Sequence, residues 1–199
     1  MGRRLAEITL DNLDDLPERC RACVFWELDP ASACDASQVP LEKEAWVSDT
    51  LLEWGRCGQI AYIDRTAAGY VLYAPAAYVP RAVAFPTAPV SPDAVLLMSA
   101  RVLPEFAGRG LGRQLVQAVA RDIAQRGVRA VEVFGHTGAV GASGCLLPTD
   151  FLRAVGFRTV RPHLHTPRLR MEAKVPTSWR AEMSQAVERL ISTVPARAV

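Results

Sequence analysis

An apolar, strand-like run that ends in three glycines on alternate residues and opens at once onto an amphipathic helix constrains this chain more than any other feature. The stretch is Arg101-Val-Leu-Pro-Glu-Phe-Ala-Gly-Arg-Gly-Leu-Gly-Arg-Gln-Leu-Val116. Gly108, Gly110 and Gly112 admit backbone torsions closed to other residues and let a ligand approach the main chain. The helix behind them offers unpaired N–H groups and the positive end of its dipole, which together attract phosphate oxygens. Arg109 and Arg113 add positive charge. The segment lacks the Gly-Lys-Ser/Thr ending of a Walker loop and the Gly-x-Gly-x-x-Gly spacing of a dinucleotide turn. The anion expected here is therefore a pyrophosphate held in another way.

Periodicity places other elements around this unit. Leu5 to Leu10 reads as a first strand, and Asp11 to Leu28 as one or two helical turns broken near Pro17. Pro40, Glu42 and Glu44 make a good first turn for a helix whose buried stripe is Val47, Leu51 and Trp54 and whose stop is Gly55. Gln59 to Asp64 and Ala68 to Tyr73 read as a hairpin around Arg65-Thr66. Pro75 to Pro92 holds five prolines, which exclude a central strand and leave a long ordered loop. Ala94 to Leu103 is nearly continuous in apolar residues, as in a strand covered on both faces. Leu111, Leu115, Val119 and Ile123 repeat at helical spacing up to Gly127. Arg129 to Phe134 is the next strand, and Gly135 to Gly144, with four glycines, reads as a mobile loop. A short helix over Thr149 to Val155, strands over Phe157 to Arg161 and Leu169 to Val175, and a helix striped by Trp179, Met183, Val187, Leu190 and Ile191 complete the chain. That last stripe needs a cover, either the chain's own sheet or a second subunit in a homodimer.

With 199 residues, the chain suits one domain that buries about 70% of its unfolded surface without metals or disulfides. No run reaches the length of a membrane span and the first residues lack the apolar core of a signal peptide, so a cytoplasmic protein is expected. Five cysteines, an odd number at irregular spacing, fit free thiols in a reducing compartment. The bias to Arg over Lys, only Lys43 and Lys174 being lysine, together with abundant Ala, points to a G+C-rich bacterial genome. Charge is uneven: residues 1–50 carry five Arg/Lys and eleven Asp/Glu, a net −6, which leaves +8 for residues 51–199. This asymmetry favours a cationic acceptor near the first segment and an anionic ligand near the rest.

The segment resembles the GNAT superfamily of acyl-CoA-dependent N-acetyltransferases, whose signature Gln/Arg-x-x-Gly-x-Gly/Ala sits between the fourth strand and the third helix. Here it reads Ala107-Gly-Arg-Gly110-Leu-Gly112, with Ala107 replacing the Gln/Arg, and it is preceded by a matching Val102, Pro104 and Glu105. The element order matches that superfamily over nearly the whole chain. The resemblance implies one α/β (α+β) domain over residues 1–199, with a central mixed, mostly antiparallel sheet splayed between its fourth and fifth strands and helices on both faces. Residues 1–56 would form the N-terminal strand and the acceptor-side helices, 94–128 the strand, turn and helix that bind the CoA pyrophosphate, and 177–199 an appended C-terminal helix. It further implies transfer of an acetyl group from acetyl-CoA, as co-substrate, to a primary amine of a small molecule or protein by direct attack. The alternative is a catalytically weak CoA-binding regulatory module that acts through a protein partner.

Carried over by position, Val102 and Leu103 would line pantetheine, and the backbone from Gly108 through Arg109, Gly110, Leu111 and Gly112 to Arg113 would hold the pyrophosphate. Relatives with Asn-x-x-Ala-x-x-Phe-Tyr-x-x-x-Gly-Phe use Asn to touch CoA and Tyr to protonate its thiolate. This chain has Cys145 at the Asn position and Leu152 at the Tyr position, so the acid for the leaving thiolate is missing. His136, just after the fifth strand, is the candidate base. Glu27 is the candidate to neutralise an acceptor cation, with Trp26 packed on it. Cys20-x-x-Cys23 with Cys34 and Cys57 lacks the second paired knuckle of a structural zinc site, and no metal is expected. His163 and His165, beside Arg161 and Arg168, read as strand and turn positions rather than a nucleic-acid patch.

Overall fold

The computed structural model describes residues 2–32, 34–138 and 144–173. Within them the elements are β1 (Arg3–Glu7), α1 (Glu18–Arg21), α2 (Val39–Trp54), β2 (Gly58–Ile63), β3 (Thr66–Pro75), β4 (Ala94–Val102), α3 (Leu111–Gln125), β5 (Ala130–His136), β6 (Leu147–Pro148), α4 (Thr149–Ala154), β7 (Arg158–Arg161) and β8 (Arg168–Glu172). Short 3-10 turns at Leu10–Asp15, Ala76–Tyr78, Pro80–Ala84 and Pro104–Phe106 link some of them. The strands form one sheet in the order β1-β2-β3-β4-β5-β8-β7, with β6 added to β5. Neighbours are antiparallel except β4 with β5 and β5 with β6.

Alternation along the strands divides the core in two. Tyr70, Leu72, Leu96, Met98 and Phe134 pack under the N-terminal segments with Ile8, Leu16, Trp26, Trp46 and Val47. Val71, Tyr73, Val95, Leu97, Val131 and Val133 face the other way, onto Leu111, Leu115, Val119 and Ile123 of α3 and onto Leu152 of α4. The amphipathic spacing of α3 thus covers the second face over its whole length. Its far end is anchored by Asp122, which is buried yet accepts from the Tyr73 hydroxyl at 2.7 Å and pairs with Arg56 at 2.9 Å.

The sheet parts in its middle. β4 pairs with β5 at only three positions, Ala94 with Ala130, Val95 with Val131 and Leu96 with Glu132. Opposite β3, the step from Tyr73 to Leu72 spans Leu97 to Ser99, so β4 carries one extra residue, a bulge at Met98. A bulge bends its strand and raises the local twist, and here it lies just past the last β4–β5 pair. β5 continues to His136 with its β8-side edge extended by bonds from Gly135 N to Pro167 O and Thr137 N to His165 O. β6 takes the edge that β4 has left, Gly135 opposite Leu147 and His136 opposite Pro148.

Several expectations need correction. The first strand runs over Arg3–Glu7 and stops earlier than Leu10, because Thr9 N turns to bond Asn12 Oδ1 at 2.9 Å. Gly135 and His136 belong to β5 rather than to a loop. Gly135 is glycine because a Cβ there would come within 2.8 Å of both Leu169 and Thr149. The buried face of α2 is Lys43, Trp46, Val47 and Thr50, with Leu51 and Trp54 only half-buried. Two polar residues on that face hid it from apolar periodicity. The hairpin turn is Asp64-Arg65, both at positive φ of 47° and 75°, and Thr66 already belongs to β3. The helix expected over 177–199, and with it the homodimer reading, lies outside the described residues, as do residues 139–143 of the glycine-rich loop.

The packing of α3 on the sheet sets a measurable expectation. Leu115 is fully buried, and Leu115→Ala should lower stability by about 2–5 kcal/mol through lost transfer energy and a residual cavity. Urea denaturation should show a lower midpoint with an unchanged slope.

Candidate active site

A cleft of about 570 Å³ opens where β4 and β5 part. Its floor comes from Tyr70 and Leu72 of β3 and from Ser99 to Val102 of β4, one wall from Arg19, Cys20, Cys23, Trp26, Glu27 and Lys43, and the other from His136 and residues 144–148. The bulge at Met98 shifts the alternation so that Ser99 and Arg101 stand opposite Leu72 and Tyr70 on the cleft face. Without it, this face of β4 would continue the apolar series Leu96, Met98.

Beyond the cleft, β4 leads into the glycine turn. Gly108 and Gly110 have φ of 74° and 75°, in the left-handed region, which side-chain-bearing residues rarely enter. Gly110 caps α3, and the first main-chain helical bond runs from Gln114 N to Gly110 O at 3.2 Å. The N–H groups before it therefore have no helical acceptor, and residues 107–110 are exposed. Gly112 answers a different need: a Cβ there would lie 3.2 Å from the Phe151 ring of α4. Arg113 donates to Ala154 O at 2.7 Å and Arg109 lies over the Phe106 ring at 6.0 Å.

Glu27 is neither helical nor exposed. It sits in the turn after α1, is 5% exposed, and pairs with Lys43 of α2, itself 3% exposed. Trp26 N donates to its second oxygen at 3.1 Å. Its charge is thus neutralised from within. The same turn is clamped by Arg81, which donates to Phe25 O and lies 4.4 Å over the Phe25 ring, and by stacking of Trp26 on Phe85 and of Phe85 on Phe134, at 5.2 and 4.3 Å. The Trp26 ring N–H is buried with no hydrogen-bond partner among the described residues.

The acidic surplus that favours a cationic acceptor is not gathered at the cleft among the described residues. Among the described residues, Glu27 alone of the early carboxylates lines the cleft, facing Arg19, Lys43 and Arg101. Several of the others are engaged elsewhere: Asp14 with Arg21, Asp15 with the Tyr62 hydroxyl and Glu7 with Arg56. Arg168, in the stretch read as strand and turn positions, is buried in β8 and pairs with Glu132 at 2.8 Å, whereas His163 and His165 are exposed.

His136 lines the cleft at the end of β5 and Cys145 just before β6. The sequence offered no means of finding Cys145's partner. Cys23 Sγ lies 3.4 Å from Cys145 Sγ although 122 residues separate them. The Cys145 S–H, with the Phe25 N–H and the Lys43 ammonium, lowers the Cys23 thiol to about 6 against a smaller burial effect. The same contact, then burial, pushes Cys145 up. Burial, then Cys20, raises the Tyr70 phenol, which also bonds Ser99. Cys57 is buried near Ile8 O and does not line the cleft. Among the described residues no group of three or more His, Cys, Asp or Glu is placed to hold a metal ion, and no helix is long and apolar enough to cross a membrane.

Two predictions follow from this geometry. Iodoacetamide should alkylate Cys23 with a rate that rises through pH 6, as thiol gives way to thiolate, while Cys57, pushed up to about 12 by burial, stays unlabelled in the folded protein. Peptide mass mapping after short pulses reads both, and a Cys23 profile centred near the ordinary thiol value of about 8.5 would contradict the assignment. Glu27→Gln should strand the Lys43 ammonium and cost about 3–5 kcal/mol of stability, measured by urea denaturation.

Comparison with known proteins fits this arrangement. Residues 87–139, from the loop before β4 through the glycine turn and α3 to β5, match the sequence family described as FR47-like protein. No curated protein matches the chain by sequence. Among solved structures, the PaiA N-acetyltransferase of Thermoplasma acidophilum in complex with coenzyme A is 12% identical at a TM-score of 0.57, covering 86% of this chain and 99% of that one. An N-acetyltransferase from Staphylococcus aureus Mu50 is 10% identical at 0.57, covering 87% and 100%. The ribosomal-protein-S18-alanine N-acetyltransferase of Escherichia coli is 11% identical at 0.51, covering 88% and 96%.

Proposed function

We propose that this chain, whose fold is that of the GNAT superfamily, is an N-acetyltransferase that moves an acetyl group from acetyl-CoA to a primary amine. The observation that carries this reading is the alignment of two features: a gap between parallel strands, and an open glycine turn at the N-terminus of a buried amphipathic helix. The turn suits an anion, since residues 107–110 are exposed and no side chain fills the space at Gly108 or Gly110. The gap suits a slender arm, since among the described residues no strand stands beside the β5-side edge of β4 beyond Leu96 and its polar backbone groups need a partner.

In this reading the backbone of Gly108 to Arg113 holds the pyrophosphate, with Arg109 and Arg113 contributing charge. Val102 and Leu103 line the pantetheine arm, which enters the cleft toward Cys145. The amine approaches from the side of Cys20, Trp26 and Tyr70 and attacks the thioester directly. Holding the two reactants together supplies much of the rate. His136 takes the ammonium proton. Tyr70 or the Trp26 ring N–H donates toward oxygen in the cleft. With Glu27 neutralised by Lys43 and with Arg19 and Arg101 nearby, the lining favours an amine that also carries an anionic group over a purely cationic one.

Gly110→Asp tests the CoA end. It sets a carboxylate among the N–H groups that would face pyrophosphate, and the loss of even one charge-assisted contact, about 1.5–3 kcal/mol, should weaken acetyl-CoA binding at least about tenfold in isothermal titration. A variant that folds and binds acetyl-CoA as tightly as the parent would remove the turn from the site. Thiol release from acetyl-CoA with a panel of amines tests the transfer itself and separates it from a CoA-binding module without activity.

A further inference from the structure

Cys23 and Cys145 are free thiols on two separately anchored segments that meet across the cleft. Cys23 stands in the turn held by Glu27–Lys43 and by Arg81 on Phe25. Cys145 precedes β6, which β5 fixes by parallel pairing. Their sulfurs, 3.4 Å apart, need to close by only roughly 1.4 Å to reach the bonded distance of about 2.05 Å. Both are half-buried rather than sealed, so a small reagent entering the cleft reaches them. The Cys145 S–H, and less strongly the Phe25 N–H and the Lys43 ammonium, favour the thiolate at Cys23 against burial and the Glu27 charge, and the thiolate is the form that attacks disulfides.

We propose that Cys23 and Cys145 form a thiol–disulfide exchange centre that takes a low-molecular-weight disulfide and closes the cleft as an intramolecular disulfide. In the first step the Cys23 thiolate attacks one sulfur of the disulfide, forming a mixed disulfide, and the expelled thiolate takes the proton from Cys145. In the second step the Cys145 thiolate attacks Cys23 Sγ and expels the second small thiolate, which solvent protonates. The two cysteines together lose two electrons, and the small disulfide gains them as it becomes two thiols. The bond ties the N-terminal wall to the β6 side across the gap between β4 and β5. Cys20 lines the same cleft but contacts Arg101 Nη1, at 4.0 Å, and Cys57 and Cys34 lie outside the cleft lining.

The full-length protein is incubated with oxidised glutathione and analysed without reduction by intact mass and peptide mapping. The expected result is a Cys23–Cys145 cross-linked peptide, the loss of two titratable thiols and full reversal by dithiothreitol. Cys145→Ser should stop at a glutathione adduct on Cys23, and Cys23→Ser should give no cross-link and react at Cys145 at least about tenfold more slowly than Cys23 does in the parent. A stable glutathione adduct on Cys23 of the parent, or modification of Cys20 or Cys34 with Cys23 and Cys145 still free, would overturn the proposal. Titration with coenzyme A of the reduced and cross-linked forms reads the closure. Binding lost on oxidation and recovered on reduction supports it, and unchanged binding overturns it. A reduced protein that does not bind coenzyme A refutes the acetyltransferase reading while the cross-link result stands on its own.

Discussion

The separation of β4 from β5 after three paired residues is the constraint on which the rest of the molecule depends. A continuous parallel pair would bury the backbone of both strands and leave no opening in the sheet. Instead the bulge at Met98 bends β4 and reverses its alternation, so Ser99 and Arg101 face the side that Leu96 and Met98 had filled with apolar atoms. β5 stays in plane through β8 on one edge and β6 on the other. The result is a cleft with one wall on each side of the parting, and a strand that emerges from it straight into the glycine turn.

The walls are held by interactions that would be costly to break. The Glu27–Lys43 pair is almost fully buried, so either partner alone would be an uncompensated charge. Stacking through Trp26, Phe85 and Phe134 joins the N-terminal turn, the proline-rich segment and β5. Below it, fully buried Glu132 accepts from Arg168, Arg170 and Ser91 N, and Arg170 also holds Asp93. That network fixes the loop entering β4 to the strand entering the gap. The prolines between residues 75 and 92 exclude a central strand, and the structure packs the segment through Val79, Ala82, Phe85 and Val90 onto the core beneath the N-terminal segments.

Local signals and long-range contacts differed in what the sequence revealed. The strand, glycine turn and α3 were legible because each is written in neighbouring residues: a continuous apolar run, torsions that need glycine, and an i, i+3, i+4 stripe. The strand order and the parting came from resemblance, since nothing within β4 announces which strand it leaves. The cleft lining was largely illegible. Cys23 meets Cys145 across 122 residues, and Lys43 and Thr50 hid the buried face of α2 because polar residues do not count toward an apolar stripe. Ser99, a polar residue inside the apolar run of β4, was the one local hint that this strand turns a face to the cleft. The acidic surplus of the first 50 residues is not gathered at the cleft: Glu7, Asp14, Asp15, Asp29 and Asp35 hold ion pairs or hydrogen bonds outside it.

The most direct test of this account is a crystal structure of the protein with acetyl-CoA. The account predicts the pyrophosphate against the N–H groups of Gly108 to Arg113, the pantetheine arm along β4 past Leu96, and the thioester within the gap near Cys145 and His136. A cofactor bound elsewhere, or one whose arm lies outside the parting of β4 and β5, would contradict it.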